Sequence, residues 1–425
     1  MDGQAARRIC VAMIVASAAT SAVHAENTPS ACNTPTTPFC ASTVPLPANW
    51  GGHVFRMSQD YPATEQPDDA MPWLAFDPRT APSDYIRAAL DHFYDGNIRS
   101  DLETSFDPEL NSKRAWFHAP WQNSPLDVNG REPIHGLTRE RVSRPFELSE
   151  AQDLQWNNYA VGFYNAPGGY TIGQVWADHG KPDASKASSL PDGTVAAKLL
   201  FTTAPTTQVP YLAGAPEWDA YVYADPNDPR PTLQSPRAVM KVRLLQIDIA
   251  VKDSRVASTT GWVFGTFVYG GGPGGAAGEG WSNVEPVGVM WGNDPGFSGS
   301  GDLQETWINP KVTMPHLGFQ GRLNGPVDNK ISSCLSCHST AQIPVGQMVP
   351  PTGGSPVRWF RNIPSGTPFD EGSQPLDYSL QIMVGLRAFE QANAVAIAAT
   401  DEERSLLIER AASADSAPAR DGFGQ

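Results

Sequence analysis

The chain has 425 residues, a formal net charge of −15 at pH 7 and only 18% charged residues. Its 30 Lys and Arg side chains form no basic run, which argues against nucleic-acid binding because phosphate contacts need clustered positive charge. With 12 Trp, 17 Phe and 11 Tyr, the chain is too aromatic to be disordered. The 38 Gly and 39 Pro residues disfavour a helical bundle and favour strands joined by turns, in two or three domains.

The N-terminus, residues 1–25, has the pattern of a secretory signal peptide. Arg7 and Arg8 supply positive charge before an apolar stretch, and Ala25 ends a short run of residues that suits a signal peptidase. The apolar stretch of about 15 residues is short for a membrane span. We therefore expect a periplasmic protein without a transmembrane segment after signal cleavage, and an uncleaved N-terminal anchor is the alternative.

The next segment, residues 26–80, is rich in Pro, Thr and Asn and predicts a mostly irregular arm. Cys32 and Cys40 flank a short loop in this arm, and in an oxidising compartment we expect them to form a disulfide. A third cysteine leaves with the signal. Cys334 and Cys337 therefore remain for a different use.

Residues 81–315 predict a mainly β domain, an antiparallel sandwich or barrel, because the strand pattern lacks a βαβ rhythm. A helix capped by Ser83 is expected before the strands, over residues 84–93. The alternation in the longest strand changes phase at Leu245, which predicts a β-bulge. The predicted strands cover residues 159–164 and 170–176, joined as a hairpin, and then 194–203, 239–251, 262–269 and 284–291.

The sequence motif with the clearest chemistry is C-L-S-C-H, which comprises Cys334, Cys337 and His338. This spacing places two thiols on one helical turn, where they can add to the two vinyl groups of a haem. The adjacent imidazole can then bind the iron as the proximal ligand. No βαβ pattern supports a thioredoxin-like disulfide, and no second ligand pair supports a zinc site. We therefore predict one covalent haem c in residues 316–395.

The segment from Cys334 to Ala341 resembles the haem-binding segment of bacterial c-type cytochromes. Four further stretches resemble an exported proteobacterial family of cytochrome c-like proteins, namely residues 131–138, 173–176, 198–203 and 324–329. The resemblance implies haem binding and electron transfer and points to no substrate. Unlike a small class I cytochrome, the chain has several glycines and Pro326 just before the motif, which exclude a long helix there. We expect the haem-binding segment to dock on the domain that precedes it.

The sequence leaves the sixth iron ligand open. Met383 follows His338 at a separation similar to that in class I cytochromes, but it lies within a predicted helix, where packing is the commoner role. Met348 lies in a predicted loop, and His316 could give a haem with two histidine ligands. An iron without a sixth protein ligand is the remaining alternative.

The part of the chain after the motif predicts two helices. The first covers residues 378–393 and is expected to be capped by Asp377. Residues 396–425 predict a short charged helix and a flexible tail.

A cluster of aromatic residues, 116–121, surrounds His118, and His135 lies nearby in the sequence. The two histidines could act as acid–base groups in an aromatic pocket. Core packing of the aromatic residues is the interpretation that the sequence favours.

These observations together predict a periplasmic monohaem c-type cytochrome that transfers one electron, with an acidic surface suited to a basic redox partner. The main alternative is a haem enzyme or small-ligand sensor with an open iron site, such as a peroxidase-like oxidoreductase. A third possibility is a binding module in which the β domain docks a partner. No catalytic residue can be assigned from the sequence.

Overall fold

The computed structural model describes residues 44–409, apart from 56–57, 68–69, 103, 123–130, 230, 233, 271–279, 313–315, 351–355, 399, 401 and 404. The predicted signal, the predicted Cys32–Cys40 disulfide and the end of the predicted tail lie outside these residues. In the part of the chain that is described, no helix has both the length and the apolar character needed to cross a bilayer.

Eight strands form one antiparallel sheet in the order β1-β2-β3-β5-β6-β7-β8, and β4 pairs with β5. A second sheet consists of β9 and β10. The prediction of a mainly antiparallel β protein is therefore confirmed. The strands are β1 Thr138–Arg139, β2 Asn158–Tyr164, β3 Val195–Thr202, β4 Glu217–Tyr223, β5 Arg237–Lys252, β6 Trp262–Tyr269, β7 Val284–Met290, β8 Thr306–Ile308, β9 Gln342–Ile343 and β10 Gln374–Pro375.

Among the described residues, four α-helices are α1 Pro82–Tyr94, α2 Ala166–Val175, α3 Cys334–His338 and α4 Leu380–Ile397, and residues 402–403 and 405–409 are also helical. The predicted first helix is present, but Ser83 does not cap it. The N-cap position is Ala81, which makes no side-chain cap, and Pro82 occupies the first turn. Proline is well suited to this position because its missing N–H has no intrahelical partner to lose.

The hairpin predicted after β2 is wrong in its second half, because residues 170–175 belong to α2. Pro167 lies in the first turn of this helix, where its fixed φ is compatible with helical geometry. A side chain at Gly169 would overlap the Phe117 ring. The local glycine and proline residues therefore start a closely packed helix rather than form a turn.

The β-bulge predicted in β5 is confirmed. Leu200 of β3 pairs with Gln246, whereas the next residue, Phe201, pairs with Leu244. Leu245 is therefore the extra residue, and its insertion explains the phase change in the sequence.

The large sheet buries apolar side chains on both faces. The first face packs against α1 and the segments around it, and the second face packs against α2, α3 and α4. In β6, Val263 and Phe267 belong to the first-face core, whereas Phe264 and Val268 belong to the second-face core. Burial of each such side chain contributes about 1.5–3 kcal/mol, so both layers are integral to the fold.

Candidate functional site

The helix α3 carries the two cysteines and the histidine of the C-x-x-C-H motif. Ser333 and Ser336 form a reciprocal capping box, in which each side chain accepts the backbone N–H of the other at 3.2 and 2.8 Å. Leu335 is fully buried in the second-face core, whereas the three motif residues are half-buried. The capped turn is therefore anchored by its apolar residue and presents the reactive residues at the boundary of the core.

His338 is held in one orientation by the residues around it. Its Nδ1 lies 2.8 Å from the backbone carbonyl oxygen of Tyr378, and the Phe264 ring lies 4.7 Å from the imidazole centroid. Because a carbonyl can only accept, Nδ1 carries the proton and Nε2 keeps its lone pair. Burial lowers the pKa of His338 to about 4, so the imidazole is neutral at pH 7. The described residues provide no hydrogen-bond partner for Nε2.

The Tyr378 carbonyl lies in an unusual stretch of backbone. Asp377 and Tyr378 both have positive φ, at 43° and 67°. The Asp377 carboxylate accepts hydrogen bonds from Lys252 Nζ and the Leu190 N–H at 2.7 Å each, and from Trp262 Nε1 at 3.2 Å. Positive φ costs non-glycine residues free energy, so these buried contacts are needed to hold the carbonyl in place.

Asp377 is therefore not the helix cap that the sequence predicts. The Oγ atom of Ser379 accepts the Ile382 N–H at 3.2 Å and caps α4 instead. Instead of capping the helix, the Asp377 carboxylate pairs with the buried ammonium group of Lys252.

The two cysteines are free thiols that retain their protons at neutral pH. Burial raises the pKa of Cys334 well above its usual value. Burial, aided by the negative charge of Asp328, raises the pKa of Cys337 to about 12. A redox-active or zinc-binding pair would need thiolates, so these environments disfavour both uses. In the described part of the chain, the cysteines belong to no group of three potential metal ligands.

Beneath α3, a row of residues crosses five strands in register on the second face. It comprises Gly162 of β2, Lys198 of β3, Asp248 of β5, Thr266 of β6 and Gly288 of β7. The Thr266 hydroxyl oxygen lies 3.8 Å from the sulfur of Cys334. The motif therefore lies over a polar strip in an otherwise apolar layer.

Asp248 supplies the carboxyl group of this strip. It accepts two hydrogen bonds from the Gln246 amide at 2.7 and 2.8 Å, and one from the Thr266 hydroxyl at 2.8 Å. Burial, together with the negative charge of Asp328, raises the pKa of Asp248 to about 6. This group therefore changes charge within a moderately acidic pH range.

Lys198 provides the positive charge of the strip. Its Nζ lies 3.6 Å from a carboxylate oxygen of Glu140. Although burial acts in the opposite direction, the charges of Glu140, Asp328 and Asp248 raise the pKa of Lys198 above its usual value. The ammonium group of Lys198 thus lies among three carboxyl groups, that of Asp248 within the strip and those of Glu140 and Asp328 beside it.

The three candidates for the sixth ligand differ in their surroundings. Met383 of α4 is 1% exposed within the second-face core, and Met348 is half-buried at its border. His316 is also buried, and its Nε2 has no hydrogen-bond partner among the described residues. Burial lowers the pKa of His316 to about 4. The negative charge of Asp328 acts in the opposite direction on the pKa of both His316 and His338. His316 therefore has a neutral imidazole with an available nitrogen.

The other two histidines of interest are core side chains. His118 Nδ1 lies 2.9 Å from the Gly162 carbonyl oxygen, and the His135 ring stacks on Trp218 with a centroid distance of 4.8 Å. Burial lowers the pKa of both groups, that of His135 to about 3. These contacts agree with the core-packing interpretation that the sequence favours.

Sequence reasoning missed Tyr378, Lys198, Asp248 and Thr266 as parts of the site. The last three occupy equivalent positions on neighbouring strands, but only the register of the sheet aligns them. Tyr378 contributes its backbone carbonyl oxygen, and the side-chain types in a sequence do not show where a backbone oxygen will lie. Comparison of the chain with protein-family models, with curated proteins and with solved structures finds no significant match.

Proposed function

We propose that the protein is an exported monohaem c-type cytochrome that transfers one electron. The observation that carries this proposal is the arrangement of His338. Its Nδ1 donates to the Tyr378 carbonyl oxygen at 2.8 Å, and its Nε2 remains available on the same helical turn as two protonated thiols. Metal-binding histidines commonly use their second nitrogen in this way, which fixes the tautomer and the ring orientation.

The residues of the site fit a covalent haem. Cys334 and Cys337 would hold the group through two thioethers, each formed when S–H adds across a vinyl double bond without a change in oxidation state. His338 Nε2 would bind the iron on the proximal side. When bound, the group supplies an iron that accepts and releases one electron.

For the sixth position, we propose His316 rather than either methionine. Its Nε2 is buried without a hydrogen-bond partner in the described part of the chain, a condition that iron ligation would relieve. Met383 instead packs among apolar residues of α4, as core methionines do. Two neutral imidazoles would keep the iron six-coordinate and low-spin, which suits electron transfer.

The proposed location is the periplasm, because residues 1–25 have the pattern of a signal peptide and haem attachment takes place outside the cytoplasm. The net charge of −15 favours a basic redox partner. Its association with such a partner should weaken as ionic strength rises, because salt screens exposed charges.

Covalent attachment can be tested by denaturing the purified protein in acidified organic solvent. We expect the haem to stay with the wild-type polypeptide and to separate from a Cys334→Ser/Cys337→Ser variant. A Cys32→Ser/Cys40→Ser variant is the matched control, because it removes two cysteines outside the motif. Wild-type protein without attached haem, or equal loss in the control, would contradict the proposal.

A further inference from the structure

We propose that His53, Asp107 and Glu109 bind a divalent transition-metal ion, with Zn²⁺ as the probe. This site lies against the first-face core, on the opposite side of the sheet from the C-x-x-C-H motif. The potential ligand atoms of the three side chains lie within 4.8 Å of one another. His53 Nε2 is 2.7 Å from Asp107 Oδ2 and 4.0 Å from Glu109 Oε2.

Asp107 provides the second observation that points to a cation. The residue is fully buried, and its Oδ1 accepts the Glu109 N–H at 2.8 Å. Its Oδ2 is buried without any hydrogen bond, although His53 Nε2 is within 2.7 Å. The ring nitrogen is therefore close to this oxygen but not aligned with it as a hydrogen-bond donor. A metal ion bound by both atoms would give each lone pair a partner, and the exposed His53 side chain can move outward from its 2.7 Å contact with Asp107 to admit the ion.

The ligands come from two separate segments, each held by the core. The Asp107 N–H donates to the Asn97 carbonyl oxygen at 2.8 Å. On the other segment, the Phe55 N–H donates to the Ile134 carbonyl oxygen at 2.8 Å, two residues from His53. A metal ion would join these segments at a position that the backbone already defines, which favours binding.

The ligand types favour Zn²⁺ or a similar ion over Ca²⁺ and Mg²⁺. An imidazole nitrogen with two carboxylates suits first-row transition metals, whereas the hard cations prefer oxygen ligands alone. The His53 side chain is 51% exposed and that of Glu109 is 31% exposed. Solvent can therefore supply a water molecule to complete a tetrahedral coordination shell.

The inference is tested by titrating the purified full-length mature protein with Zn²⁺ in a calorimeter, and by measuring the zinc X-ray absorption spectrum. We expect one ion per chain, with only nitrogen and oxygen ligands. Asp107→Asn should weaken binding by about 100-fold or more, since even the loss of an outer-shell partner costs roughly 10- to 100-fold. His53→Gln should have a similar effect and changes a half-exposed side chain, so it preserves the test if Asp107→Asn fails to fold.

His179→Gln is the matched control, because it removes an exposed imidazole elsewhere on the chain and should leave the affinity unchanged. Absence of binding below millimolar Zn²⁺ would overturn the inference. Full binding by both His53→Gln and Asp107→Asn would do the same. Sulfur ligands in the absorption spectrum would instead place the ion at cysteine residues and would also contradict it.

Discussion

His338 and Tyr378 are joined by a hydrogen bond of 2.8 Å between the ring Nδ1 and the backbone carbonyl oxygen, across 40 residues of sequence. The carbonyl is held by backbone with positive φ, and the buried Lys252–Asp377 ion pair stabilises that backbone. The orientation of the imidazole therefore depends on a residue at the end of β5. This connection links the sheet to the chemistry of the motif.

The Lys252–Asp377 pair should contribute strongly to stability. Lys252→Met leaves the Asp377 carboxylate, which is 0% exposed, without its cation. Breaking a buried ion pair in this way costs about 3–5 kcal/mol, and the lower end is expected because Leu190 and Trp262 still donate to Asp377. The free energy of unfolding from a urea titration measures the effect.

Lys241→Met provides the matched control for this change. Lys241 pairs with Asp219 at 2.9 Å, but its side chain is 47% exposed. Such surface pairs contribute under about 1 kcal/mol. Equal losses in the two variants would contradict the importance assigned to the buried pair.

The backbone before α3 should tolerate no side chain at Gly318. A Cβ at this position would overlap the carbonyl oxygen of Ser332, close to the motif. Since backbone rather than a flexible side chain must move, Gly318→Ala should destabilise the fold by about 1–3 kcal/mol. Gly296→Ala is the control, because no heavy atom lies within 4 Å of the added Cβ. The midpoint temperatures of thermal unfolding of the two variants are compared with that of the wild type. A Gly318→Ala midpoint equal to the wild-type midpoint would refute the contact.

Asp248 should make stability depend on pH. Its pKa is raised from 3.8 to about 6, mainly by burial, so the folded state binds the proton more tightly than the unfolded state. Stability from this group is present below about pH 4 and is lost as pH rises to about 6. The total is at most about 3 kcal/mol, reduced by partial exposure of the side chain.

The Asp248→Asn variant isolates this contribution. We expect its free energy of unfolding to fall less than that of the wild type between pH 4 and 6. Identical profiles for wild type and Asp248→Asn would show that the group is not perturbed.

The proposal of His316 as the sixth ligand predicts which substitution gives carbon monoxide access to the proposed haem iron. His316→Ala should allow carbon monoxide to bind the reduced protein, because the substitution removes the nitrogen that we propose as the distal ligand. Met348→Leu and Met383→Leu should not allow it, since they preserve apolar volume and leave His316 in place. Carbon monoxide binding by one of the methionine variants alone would assign the ligand to that methionine.

Much of the strand pattern could be predicted from the sequence because alternation reports directly on burial. It located β3, β5, β6 and β7 and the bulge at Leu245. The alternation does not reveal that these strands belong to one sheet whose two faces are both covered. Polar residues such as Lys198 and Asp248 interrupt the apolar pattern on the second face.

The site was only partly predictable for a related reason. The C-x-x-C-H residues are contiguous, so their spacing alone predicts Cys334, Cys337 and His338 as a candidate site. The groups that control them arrive from distant strands or through backbone atoms, as with Thr266 and the Tyr378 carbonyl. The sequence predicts Asp377 as a helix cap because its partner Lys252 is distant in sequence and cannot be recognised from the local pattern.

The most direct test of the central claim is the optical spectrum of the purified mature protein, oxidised and reduced, before and after carbon monoxide is added to the reduced form. We predict the spectrum of one low-spin haem c per chain, unchanged by carbon monoxide. Rapid carbon monoxide binding by a high-spin iron would contradict the six-coordinate electron carrier and favour an enzyme or sensor. A protein matured in a haem-attaching periplasm without any haem spectrum would contradict the account as a whole.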